Sequence, residues 1–106
     1  MKKKTAQPRK TSGPRFVIVR GSSSGVQYGE FVSCVGQHVK LKNTRRFWYW
    51  TGAATLSNLA MVGTLKPETC KFPAPVEHHE ILDVIEILDV TPAARATFDK
   101  VVPWVE

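Results

Sequence analysis

The residues best equipped for chemistry in this chain stand in one run, "RRFWYWTGAAT", Arg45 to Thr55. An arginine guanidinium presents five donors in a planar fork that fits phosphate or carboxylate, and Trp and Tyr faces stack on bases or on guanidinium planes. Arg45, Arg46, Trp48, Tyr49 and Trp50 supply both parts side by side. Thr51 before small residues reads as the start of a helix, whose free amides would add donors and a positive end to the same corner. Gly52 would let a ligand approach the backbone, and Thr51, Thr55 and Ser57 offer hydroxyls. These residue types point to a small phosphorylated or nucleotide-like ligand. Its expected contacts are Arg45, Arg46, Trp48, Trp50, Thr51, Gly52 and Thr55.

The same residues also have a structural reading. In a small domain each large ring buries about 150 to 250 Å², worth several kcal/mol at about 25 cal/mol per Å². Two of the aromatics from Phe47 to Trp50 are therefore expected in the core, Phe47 and Tyr49 on the apolar side of a strand. Arg45 and Arg46 could equally pair with the acids of "VIEILDV", residues 84–90. Both roles stay open for the arginines.

Other chemistry is thin. No nucleophile stands with a base, and Asp83, Glu86 and Asp89 read as the wet face of a strand, so no catalytic residues are expected and the chain reads as a non-enzyme. Cys34 and Cys70 lack a CxxC spacing, and the adjacent His78 and His79 diverge in a strand, so neither a metal site nor a cofactor is expected. The loop "GSSSG", Gly21 to Gly25, could cradle a phosphate with backbone amides. It lacks a nucleotide-binding glycine pattern and runs into a strand, so it reads as a hairpin loop.

The elements that must position these residues follow from patterning. "RFVIVR" (15–20) and "VQYGEFVSCV" (26–35) are strand runs around that loop, and Gly36-Gln37 turns into a third run, "HVKLKNTRRFWYW". Val39, Leu41, Phe47 and Tyr49 alternate with His38, Lys40, Lys42, Arg46, Trp48 and Trp50; a bulge at Asn43-Thr44 would exchange the faces beyond it. "TGAATLSNLAMVG" reads as a helix of about three turns, capped by Thr51, packing Leu56, Leu59 and Ala60 and ending near Gly63. "HEILDVIEILDV" mixes helical acid spacing with β-branched residues and is taken as one strand centred on "VIEIL". Thr91-Pro92 opens a last helix running toward Val101. The fold class is α+β: a curled antiparallel sheet of about four strands, or a small, partly open barrel, with two short helices.

At 106 residues the chain fits one domain, expected over 15–106. The net charge of +6 is local: Lys2, Lys3, Lys4, Arg9, Lys10 and Arg15 lie at the start, and the remainder holds nine basic and nine acidic residues. Residues 1–14 read as a disordered basic tail that could hold nucleic acid loosely through phosphates. No apolar run is long enough to span a bilayer and no apolar segment follows the basic start, so a soluble, cytoplasmic protein without membrane contact is expected.

Arg45-Arg46, Trp48-Tyr49-Trp50, Gly52-Ala53, Leu56 and Leu59-Ala60, followed by "CKFPAPVE" and a "VIEI" strand, resemble a family of small phage and prophage proteins carrying a domain of unknown function. The resemblance covers roughly Arg15 to Glu106 and includes a "VIVR" strand and a terminal tryptophan, here Trp104. It implies a phage origin and a host cytoplasmic location, but no mechanism. In that context the leading reading is an accessory protein, expected as a homo-oligomer, that binds a phosphorylated or nucleotide-like ligand and counteracts host defence signalling. Alternatives are a nucleic-acid binder using tail and Arg/Trp strand, or an inhibitor of a host protein.

Overall fold

The computed structural model describes residues 14–105. The expected tail, apart from Pro14, lies outside the described residues. Strands β1 (Phe16–Gly21), β2 (Gly25–Val35) and β3 (His38–Arg46) form a meander. β4 (Val76–Ile81) pairs with β3 and β5 (Val84–Asp89) with β1, giving an antiparallel sheet of order β4-β3-β2-β1-β5. The segment taken as one strand is therefore divided between two, one at each edge, and the sheet gains a strand over the expected number. The apolar residues run on across the division, and only Asp83, which the β1–β2 loop captures, marks the corner.

That division forces the sheet to roll. Laid flat, the outer strands would stand about 19 Å apart, four spacings of about 4.8 Å. Only Leu82 and Asp83 separate β4 from β5, and three Cα steps span at most about 11 Å. The edges are brought together instead, and the β2–β3 turn bonds the corner: Val84 donates its N–H to the Gln37 carbonyl (3.1 Å) and Gln37 Nε2 donates to the Val84 carbonyl (3.3 Å). Inside the roll sit Val17, Val19, Val39, Leu41, Ile81 and Val84. β1 is buried on both faces, because its alternate residue Ile18 joins a second, larger core outside the sheet.

Two helices cover that outer face. α1 (Leu56–Val62) packs Leu59 and Ala60, as expected, and α2 (Pro92–Phe98) packs Ala94 and Phe98. α2 starts with the Thr91 cap and Pro92 anticipated from sequence but stops at Phe98, short of Val101. α1 is seven residues long and capped by Thr55, whose hydroxyl accepts from the Asn58 N–H, so the expected start at Thr51 is corrected. Gly52 explains the difference. Its φ is 81°, its carbonyl accepts the Leu65 N–H, and a Cβ there would lie 2.6 Å from Lys66 N. Thr51 and Gly52 are tied across to residues 64–66 and cannot wind into the helix.

The bulge raised as an alternative for β3 is present. Asn43 has φ 53°, and the β2–β3 register jumps between Tyr28↔Arg45 and Glu30↔Lys42, setting two residues against Gly29. A Cβ on Gly29 would come within 3.0 Å of Thr44 Oγ1, so glycine is what lets Thr44 fold over it. The extra residue exchanges the faces. Val39 and Leu41 point into the roll, whereas Phe47 lies outside in the helix-covered core, stacked on Phe72 at 4.0 Å and edge-on to Phe98 at 5.0 Å. Tyr49, expected beside Phe47 in the core, is 49% exposed, because the strand ends at Arg46 and the chain leaves the sheet before reaching it.

Arg45 follows Phe47 to the outer face and is buried there, beside Tyr28 and Ile18 in register. Its Nε donates to the Pro73 carbonyl (3.0 Å), Nη1 to Phe98 (3.2 Å), and Nη2 to Phe72 (2.9 Å) and Val101 (3.0 Å). One side chain thus ties β3, the segment before β4 and the end of α2, where a helix terminus favours a cation. Burial pulls the guanidinium below its ordinary pKa and the Asp99 carboxylate acts against that. The acids suggested as its partners go elsewhere, with Asp89 on Arg15 and Glu86 on Arg20. Replacing Arg45 with Met should cost about 3 kcal/mol or more in urea denaturation, since each stranded carbonyl costs on the order of 1 to 3 kcal/mol. Lys, lacking the fork, should not restore it; wild-type stability in either variant would show the clamp to be dispensable.

Candidate functional site

The seven residues expected to bind a ligand do not form one site. Arg45 is consumed in the core. Trp50 is half-buried and packs on the same core, 6.4 Å from Phe47 between ring centres. Thr51 spends its hydroxyl on Thr69 and its carbonyl on the Thr64 hydroxyl, Gly52 is pressed against residues 64–66, and Thr55 caps α1. The expected run of free helix amides after Thr51 does not exist. What remains is Arg46 and Trp48, on the opposite side of the chain from Arg45 and Phe47.

These two meet a partner that sequence patterning left as a plain hairpin loop. Residues Ser23 to Val26 form, with Arg46, Phe47 and Trp48, an open cleft of about 380 Å³. Arg46 is exposed and bonds through Nη1 to the Ser24 carbonyl at 2.7 Å, leaving most of its fork unspent. Among the described residues no carboxylate lies within ion-pair distance of it. Trp48 is 63% exposed. A cation with free donors and an open indole face on one rim can grip an anion and a flat ring together.

The loop wall is rigid because it is folded round an anion of its own. Asp83, from the β4–β5 corner, accepts the backbone N–H groups of Ser23 (2.6 Å) and Ser24 (2.9 Å), and hydroxyls from Ser24 (2.7 Å) and Ser22 (3.4 Å). The serine loop cradles an acidic group, as its composition allows, but the group is internal. The Ser24 hydroxyl first, then the Ser23 amide, hold the Asp83 carboxyl down at about 2. On the other side, the Ser24 carbonyl accepts from both Arg46 and Gln27 Nε2 (2.9 Å). One residue, Ser24, therefore couples the anchoring acid to the cleft's cation.

Behind the cleft the inner face of the roll turns polar. Gln27, opposite Arg46 in register, is fully buried, with Oε1 unpartnered, and Thr44 Oγ1 and His79 Nδ1 are likewise buried without partners. Burial and then the charge of Arg46 hold His79 below its ordinary pKa.

A second surface feature adjoins Trp48. Trp104 lies nearly parallel to it, with ring centres 6.4 Å apart and planes at 10°. Lys71 Nζ stands 5.5 Å from the Trp104 ring and 5.7 Å from that of Tyr49. Backbone bonds hold the group: Tyr49 and Lys71 exchange N–H to carbonyl bonds (3.3 and 2.7 Å), and Trp104 donates its N–H to the Phe72 carbonyl (2.9 Å). Trp104 and Lys71 figure in the sequence reading only within the family resemblance, as the terminal tryptophan and a member of "CKFPAPVE", and not as site residues. Cys34 is exposed, Cys70 buried, and both are free thiols.

Asp83→Ala should release the loop, seen as faster amide exchange at Ser23 and Ser24 with the sheet amides unchanged; unchanged exchange would show the loop to be held otherwise. The carboxyl's folded pKa is depressed from 3.8, so its contribution is complete above about pH 4 and is lost as pH falls through about 2. The Ser24 amide resonance should move in that window.

No curated protein and no solved structure matches the chain. A family model does match, over residues 14–98, which takes in the β1–β2 loop, Arg46, Trp48 and Asp83 and stops before Trp104. On that match the chain belongs to the family defined by a domain of unknown function, DUF6948.

Proposed function

We propose that this protein is a binding module for a nucleotide unit, acting without catalysis, with the base laid on Trp48 and the phosphate on Arg46. The observation that carries this is the pairing of the two on one cleft rim, the arginine with donors to spare and the indole face open. Ser23 and the rest of the anchored loop form the opposing wall.

The resemblance to small phage and prophage proteins gives this reading its setting. A phage protein that sequesters a nucleotide signal in the host cytoplasm would need an Arg and aromatic grip and no chemistry. The basic residues of 1–14 would add loose phosphate contacts to any larger nucleic acid. Host-protein inhibition, the other reading raised from sequence, would use the same exposed aromatics, Trp48 and Tyr49, as interface anchors.

Arg46→Ala should weaken binding of nucleoside mono- and diphosphates by about tenfold or more, from the loss of charge-assisted bonds worth on the order of 1.5 to 3 kcal/mol. The melting temperature should barely move, since the residue is exposed. Titration calorimetry with the wild type and variant checks this; retained affinity would remove Arg46 from the site. An anion on Arg46 also relieves the repulsion felt by His79, so the His79 imidazole should titrate at higher pH in the presence of ligand. Proton NMR, assigned with a His79→Gln variant, reads that shift directly.

A further inference from the structure

Arg46 and Trp48 are only the first two members of a longer alternation of charge and ring across this surface. Trp104 stacks on Trp48 but does not line the cleft, so the two indoles form one wall with the cleft on Trp48's side. Past that wall comes a second cation, Lys71, and past Lys71 a second exposed ring, Tyr49. The steps along this series are 6.4, 5.5 and 5.7 Å. Lys71 is exposed, and among the described residues it has no carboxylate within ion-pair distance. It therefore stands over aromatic faces with no ion-pair partner among the described residues. A single nucleotide seated against Arg46 has no use for it, because the paired indoles stand between.

We infer that the ligand is a single-stranded nucleic acid, one nucleotide in the Arg46–Trp48 cleft and the next passing over the Trp104 edge to place its phosphate on Lys71 and its base on Tyr49. This rests on the one-nucleotide reading of the cleft and extends it to a polymer. The chemistry fits a strand better than a duplex, whose bases are already stacked and have no free face to offer. It fits a sequence-tolerant grip, since phosphates and ring faces are common to every nucleotide. The Tyr49–Lys71 backbone bridge and the Trp104–Phe72 bond fix the second subsite to the core, so it is preformed.

The experiment uses the full chain and fluorescence anisotropy with thymidylate and uridylate ligands, as the mononucleotide and as the octanucleotide, over a range of salt. The octanucleotide should bind more tightly than the mononucleotide. Lys71→Gln should lower octanucleotide affinity and flatten its log K against log salt slope by about 0.7, the value for one phosphate contact on a single strand. It should leave mononucleotide affinity unchanged, and Lys71→Arg should restore the slope. Tyr49→Ala should weaken the octanucleotide by about fivefold or more, as loss of one stacked base does, again sparing the mononucleotide. A preference between the two series would tell RNA from DNA; either supports the inference. Octanucleotide affinity no better than the mononucleotide's, or an unaltered slope in Lys71→Gln, would overturn the strand and leave the one-nucleotide cleft standing. Failure of both ligands to bind would overturn the two readings together.

Discussion

Two consecutive arginines in a strand must face opposite ways, and which of them is buried depends here on one extra residue. Without the bulge at Asn43-Thr44, Arg46 would share the outer face with Tyr28 and Arg45 would point into the roll. With it, Arg45 meets the four carbonyls that end α2 and lead into β4, and Arg46 is turned to the rim. The same shift carries Phe47 into the outer core and Trp48 out of it. Core clamp, core aromatic, surface cation and surface indole are all set by a single register change, and Gly29 on the facing strand makes room for it.

The second dependency runs through Asp83. It lies in the two-residue passage from one edge of the sheet to the other, where a rolled sheet needs its ends held together. By accepting the amides and hydroxyls of the β1–β2 loop, it locks that corner to the far end of β1, and the same loop then presents Ser24 to Arg46. The bonds that anchor the loop to the β4–β5 corner and those that shape the wall of the cleft therefore meet in one residue, Ser24. An acid that patterning places on a wet strand face is here an internal ligand.

Much of the fold could be read in the sequence, because alternation and caps are local signals. The first three strands, the Gly21–Gly25 hairpin, Thr91-Pro92 opening α2, and the Leu59-Ala60 face of α1 all follow from residues within a few positions of each other. The misses are long-range. Gly52 is tied to residues 64–66, which no local rule foresees, and so Thr51 lost its cap to Thr55. The break at Leu82-Asp83 is hidden in an unbroken β-branched run because what bends it lies about 60 residues earlier in sequence. For the candidate site, the Arg/Trp run lines one side of the cleft, but a string of residues cannot say which of its members face the same way. Of the seven residues expected there, Arg46 and Trp48 share the cleft, and the loop opposite them, weighed as a phosphate cradle, reads in sequence as a hairpin loop.

The placing of β5 against β1 also has a consequence for how the protein comes into being on the ribosome. The first strand is buried on both faces, yet its inner neighbour at the closed edge arrives only when residues 84–89 have emerged, and its outer cover only with α2. Until residues 84–98 have emerged, Val17, Ile18 and Val19 have a partner on one side alone, the meander of β2 and β3. Such non-local closure slows folding and prolongs the exposure of an apolar strand edge. A nascent chain of this design closes a late strand against an early one, and any truncation ahead of β5 would release a sheet with the apolar strand β1 at an open edge.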